Sequence, residues 1–185
     1  GAAISITGAL SAGALAGTSG VTINAVANGS GVGFTQGANA ITAAAGGVTI
    51  TANGQAGTGY SSTGNITATG QAITISATTT TDTGINNTGA ITGGAVSLSS
   101  TQSTSTATLT TIYLPGLVTA NSLTVNASGG ASSTIVTLGA ITLNAGGGNI
   151  SVTANNAAAG ANAGITQTGA ITNNAIGSSI SFTSN

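Results

Sequence analysis

Apolar and polar positions alternate along this chain in a short triplet: an apolar residue, then Ser or Thr, then another apolar residue. It recurs as Ile4-Ser5-Ile6, Val21-Thr22-Ile23, Val48-Thr49-Ile50, Ile73-Thr74-Ile75, Val96-Ser97-Leu98, Leu123-Thr124-Val125, Ile150-Ser151-Val152 and Ile180-Ser181-Phe182. Alternation is the period of a β-strand, so the first and third residues face one side and the hydroxyl the other. From Val21 onward the triplets start about 27, 25, 23, 27, 27 and 30 residues apart, which is the length of one coil of a solenoid. No stretch keeps a helical apolar stripe over three turns, and glycine is spread throughout, so no helices are expected.

Stacking the coils turns the triplets into two inward apolar ladders. One runs Val21, Val48, Ile73, Val96, Leu123, Ile150, Ile180; the other runs Ile23, Ile50, Ile75, Leu98, Val125, Val152, Phe182. A second marker, an apolar residue followed by Thr, centres on Ile41, Ile66, Ile91, Val118, Ile141 and Ile171. A third lies six or seven residues before it, at Phe34, Tyr60, Ile85, Ile112, Ile135 and Ile165. Three anchors per coil, joined by corners of Gly, Asn, Ser and Thr that tolerate tight turns, predict an all-β fold. The expected architecture is a right-handed parallel β-helix of about seven coils of 23–30 residues, with three short strands per coil.

Residues 1–185 read as one repeat segment with two irregular places. Ile4 and Val21 are only 17 residues apart, so residues 1–20 are expected to form a partial or irregular first coil. Residues 96–122 contain the single proline, in Ile112-Tyr113-Leu114-Pro115-Gly116-Leu117. Proline cannot donate to a strand ladder, so this apolar bulge belongs at a corner.

Composition narrows the chemistry. The chain of 185 residues has no Lys, Arg, His, Cys, Met or Trp, and its one acidic residue is Asp82. Without basic residues it has no means of neutralising phosphates, so neither nucleic acid nor an anionic membrane surface is an expected partner. No apolar run reaches the roughly 18 residues of a membrane-spanning segment, so membrane insertion is not expected. The sequence starts at Gly1 without a basic and apolar leader and reads as a mature product or a fragment. Near-zero net charge, −1 at pH 7, removes the repulsion that keeps proteins apart and favours self-association.

Many β-helices cleave polysaccharides, but a single carboxylate provides no acid and base pair, and no His or Cys is present to activate a hydroxyl. Neither catalysis, a metal site nor a cofactor is expected, and Asp82, in Thr80-Thr81-Asp82-Thr83-Gly84, reads as a turn residue. The glycine clusters at 29–33 and 146–148 lack the following Lys of a phosphate loop and read as corners. The sequons at Asn28, Asn65, Asn86, Asn126 and Asn149 are about as many as chance gives in so Asn- and Thr-rich a chain.

The outward hydroxyls beside the triplets form a candidate surface-binding ladder: Thr22, Thr49, Thr51, Thr74, Thr124, Thr153 and Thr183. Regular Thr ranks on a flat sheet resemble an ice-binding face. Thr also favours strands and pairs with itself across them. Ser and Asn interrupt the ranks, and Thr42, Thr67, Thr92, Thr119, Thr142 and Thr172 form another ladder, so a structural role outweighs ice. A carbohydrate surface is the other candidate ligand, and Tyr113 is the aromatic residue expected to be exposed for it.

The Gly-Ala-Ile-Thr segments at 89–92, 139–142 and 169–172, with Val-Thr-Ile-Thr-Ala, Ile-Ser-Val-Thr-Ala and Leu-Thr-Val-Asn-Ala, resemble the β-helical repeats of filamentous-haemagglutinin-type exoproteins and other large repetitive bacterial surface adhesins. The resemblance implies a secreted β-helical shaft at the cell surface or in the extracellular space, a structural protein of a filament, adhesin or biofilm matrix. The implied partners are the chain itself, by continuation or end-to-end stacking, and a host or neighbouring cell surface. The alternatives are the Thr/Ser-ladder binding module and an amyloid-like cross-β fibre. Neither terminus shows a charged or proline-rich cap, so the coils are expected to run on into more repeats or to assemble end to end.

Overall fold

The computed structural model describes residues 1–13, 20–103, 109–129, 134–156 and 164–185. Among them there are only strands, turns and bends. Seven passes of three strands follow one another: β1 (Ile4–Ile6), β2 (Leu10–Ala12) and β3 (Val21–Val26); β4 (Phe34–Gln36), β5 (Ile41–Ala43) and β6 (Val48–Asn53); β7 (Tyr60–Ser62), β8 (Ile66–Ala68) and β9 (Ile73–Thr79); β10 (Ile85–Asn87), β11 (Ile91–Gly93) and β12 (Ala95–Gln102); β13 (Ile112–Leu114), β14 (Val118–Ala120) and β15 (Ser122–Gly129); β16 (Val136–Leu138), β17 (Ile141–Leu143) and β18 (Ile150–Asn156); β19 (Ile165–Gln167), β20 (Ile171–Asn173) and β21 (Ile180–Ser184).

Each strand pairs in parallel with its counterpart one coil away. The result is three seven-stranded sheets: A, from β1 through β4 to β19; B, from β2 through β5 to β20; and C, from β3 through β6 to β21. The molecule is a right-handed parallel β-solenoid with three strands per coil. Sheets A and B are built from three-residue strands, while those of C run to eight residues, so C is the broad side of the rod.

The two triplet ladders lie in register through all seven strands of sheet C, pointing inward. Their middle members, such as Ile50, Ile75, Leu98 and Val125, are fully buried, each worth about 1.5–3 kcal/mol of hydrophobic stabilisation. A third inward column of sheet C is made of small residues: Ala25, Ala52, Ala77, Ser100, Ala127, Ala154 and Ser184. Ile41, Ile66, Ile91, Val118, Ile141 and Ile171 line up inside sheet B.

Two register assignments differ from the sequence reading. Ile4-Ser5-Ile6 belongs to sheet A, where it pairs with Phe34, Thr35 and Gln36, and not with the sheet C triplets. A three-residue strand carries the same apolar–hydroxyl–apolar pattern in either sheet. With β2 in sheet B and β3 in sheet C, the first pass therefore contributes to all three sheets. The second difference is at the sheet A anchor, where Val136, not Ile135, pairs with Ile112 and Ile165. Both residues are fully buried. The Gly164 carbonyl accepts from both of their N–H groups, at 2.9 and 3.1 Å, so one residue is wedged into the entry of the strand.

Pro115 stands in the exposed corner between β13 and β14. The irregular places read at 1–20 and 96–122 fall partly on 14–19 and 104–108, which lie outside the described residues.

Candidate functional site

The outward face of sheet C carries the hydroxyl ladder. Its seven predicted threonines do not form one rank. Thr22, Thr49 and Thr74 are consecutive in the first, which continues Ser97, Thr124, Ser151 and Ser181. Thr51, Thr153 and Thr183 belong to the second, which reads Asn24, Thr51, Ser76, Ser99, Asn126, Thr153, Thr183 along the rod. The longest unbroken threonine rank is on sheet B, where Thr42, Thr67, Thr92, Thr119, Thr142 and Thr172 follow one another in register.

Many outward polar groups bond from coil to coil. The Ser99 hydroxyl donates to Ser76 Oγ at 3.0 Å. Asn65 Oδ1 accepts from the Ala90 N–H at 2.9 Å, and Asn149 Oδ1 from the Ser179 N–H at 2.8 Å. Asn144 Nδ2 donates to Asn121 Oδ1 at 3.0 Å. These bonds pin register, the use that cross-strand polar pairs have in any sheet.

Asp82 sits in the turn after β9. Its Oδ1 accepts from the Thr83 N–H at 2.6 Å, and its Oδ2 accepts from the Thr58 hydroxyl, one coil earlier, at 3.2 Å. Both carboxylate oxygens are engaged in holding a corner.

The aromatic residues divide by position. Phe34 and Tyr60 are fully buried in sheet A with their rings stacked, centroids 5.4 Å apart. Tyr113 faces outward and is 38% exposed, between Asn86 and Thr137 in the neighbouring strands. Phe182 occupies the inward column of sheet C, yet is 40% exposed because β21 is that sheet's last strand.

Sequence reasoning missed a polar column inside the rod. Gln36 and Ser62 pair in register in sheet A, as do Ser62 and Asn87, and all three are buried. Each ties down the corner that follows its strand: Gln36 Nε2 donates to the Asn39 carbonyl at 2.9 Å, the Ser62 hydroxyl to Gly64 at 3.2 Å and Asn87 Nδ2 to Gly89 at 2.7 Å. Gln167 does the same to Gly169 at 3.0 Å. The Tyr60 hydroxyl donates to Gln36 Oε1 at 2.8 Å, with Asn87 Oδ1 at 3.4 Å on its other side. Burial pushes the Tyr60 phenol well above the ordinary tyrosine range, against a smaller opposing effect of Ser62. The signal available in sequence was a polar residue two places after the sheet A anchor; alternation alone marks that place as inward.

No protein-family model matches this sequence, and no curated protein or solved structure matches it either.

Proposed function

We propose that this chain is a rigid, non-catalytic rod segment of a secreted extracellular fibre or adhesin, of the kind its repeats resemble, and that it extends by stacking coil on coil. The observation that supports this reading most is the uninterrupted in-register core. Anchors on all three sheets are layered through every coil, and the buried polar side chains Gln36, Ser62 and Asn87 are spent on holding corners. The terminal strands have an open edge each, with Ile180 and Phe182 of the last inward columns 44% and 40% exposed. Further coils, of the same chain or of a second copy, would cover that apolar surface and pair those edges.

The ice-binding reading of the sheet C ladder has less support, because Ser and Asn break its ranks and Ser99 bonds Ser76. An amyloid-like fibre, with one layer of each molecule along the axis, fits a chain that already stacks seven strands per sheet less well. Negative-stain electron microscopy of the concentrated protein tests the proposal: strings or filaments about one coil wide are expected, and only isolated particles at every concentration would overturn it.

A further inference from the structure

We propose that the chain carries a binding site for a neutral saccharide in a groove at the outer edge of sheet C, where β6, β9 and β12 end. The groove has a volume of about 270 Å³ and is lined by Asn53, Gln55, Thr78, Thr80, Thr101 and Ser103. It shares no residue with the threonine ladder, and the inference does not rest on the fibre reading.

Asn53, Thr78 and Thr101 stack in register across three coils. Gln55 is the one non-glycine residue with positive φ among the described residues, at 45°, a conformation that costs energy and persists only where surrounding bonds enforce it. Here four bonds do so. The Gln55 N–H donates to Asn53 Oδ1 at 2.9 Å, its carbonyl accepts from the Thr80 N–H at 2.5 Å and the Thr79 hydroxyl at 2.7 Å, and its Oε1 accepts from the Gly29 N–H at 2.5 Å. The Asn53–Gln55 rim of the groove is therefore held in place before any ligand arrives, which lowers the cost of ordering it on binding.

The polar side chains of this lining come together around one groove, whereas the ladder threonines, such as Thr49 and Thr51, stand along the open face of their strand. The hydroxyls of Thr78, Thr80, Thr101 and Ser103, Asn53 Nδ2 and Gln55 Nε2 have no hydrogen-bond partner among the described residues. Each threonine shows a methyl beside its hydroxyl, the same mixture of C–H and O–H that a sugar ring presents. With no basic residue in the chain and no carboxylate in the lining, the groove matches neither an anion nor a cation. It has no large apolar side chain for a hydrophobic ligand. A neutral, hydroxyl-rich ligand is what remains.

The test is an NMR titration of the isotope-labelled protein with maltotetraose, cellotetraose and chitotetraose at about 10 mM, above the millimolar affinity that a few neutral contacts support. Sorbitol serves as the control. At least one oligosaccharide is expected to shift the resonances of Asn53, Thr78 and Thr101 saturably, with sorbitol inert. The double variant T78V/T101V, which keeps β-branched side chains in the strands, and separately Asn53→Ala, are expected to weaken that binding about tenfold or more. T49V/T74V, on the ladder, is expected to leave it unchanged. No groove shifts with any of the three sugars, equal shifts with sorbitol, or undiminished binding by both groove variants would overturn the proposal.

Discussion

The Tyr60 hydroxyl donates to Gln36 Oε1 at 2.8 Å inside the solenoid, joining the third coil to the second through side chains as well as through the ladder. Gln36 in turn reaches the carbonyls of Asn39 and Asn65, so one buried pair fixes two successive corners of the A–B edge. Tyr60→Phe leaves the ring on Phe34 but strands the Gln36 acceptor. We expect it to cost about 1–3 kcal/mol in chemical denaturation. A loss below a few tenths would show that the pair holds nothing.

The same tyrosine makes stability sensitive to alkali. Burial raises its folded-state pKa above the ordinary value of 10.0, so the fold favours the neutral phenol while the unfolded chain ionises from about pH 10 upward. Its contribution is thus complete below about pH 10 and drains away above it, by up to about 1.4 kcal/mol per pH unit. Denaturation midpoints at about pH 8 and about pH 11 should fall further in the native protein than in Tyr60→Phe. Equal falls would contradict the assignment.

Ser100 interrupts a column of alanines, pairing with Ala77 on one side and Ala127 on the other. Its Oγ is buried and has no partner. Ser100→Ala is expected to raise stability by about 1 kcal/mol, since it removes an unpaired hydroxyl and leaves the residue its neighbours already have. A Cβ on Gly84 would lie 1.6 Å from that Oγ, so Gly84→Ala should be strongly destabilising, and less so in the Ser100→Ala background. Additive effects in the double variant would disprove the contact.

The threonine ladder and the core beneath it should respond differently to substitution. Ile50→Ala is expected to cost about 2–5 kcal/mol by opening a cavity in a fully buried column. Thr49→Val and Thr51→Val, on the exposed side of the same strand, should each change stability by less than about 1 kcal/mol. If the ladder is structural, the protein at about 1 mM should leave ice crystals unshaped and show no thermal hysteresis. Faceted crystals would favour the surface-binding reading instead.

The coil was legible in the triplets because strict alternation with β-branched anchors survives whatever corner sequence separates them. Register was less legible where the pattern was shortest. Ile4-Ser5-Ile6 fits sheet A and sheet C equally well until its pairing partner is known. Ile135 and Val136 are adjacent apolar residues either of which fills the anchor. For Gln36, Asn87 and Ser100 alternation points inward and polarity points outward, and the sequence does not show which of the two prevails. The groove was invisible for a further reason: Gln55 owes its place to hydrogen bonds from the neighbouring coils, and Asn53-Gly54-Gln55 alone reads as a turn.

Mass per unit length of the assembled filament, measured by scanning transmission electron microscopy, separates end-to-end rods from a cross-β fibre. A chain of 16.9 kDa that stacks seven coils at about 4.8 Å each gives about 0.5 kDa per ångström for end-to-end rods. A cross-β fibre with one chain per layer of about 4.8 Å gives about 3.5 kDa per ångström. The rod account predicts the lower value or a small multiple from lateral pairing; the higher value, or no filament at any concentration, would contradict it.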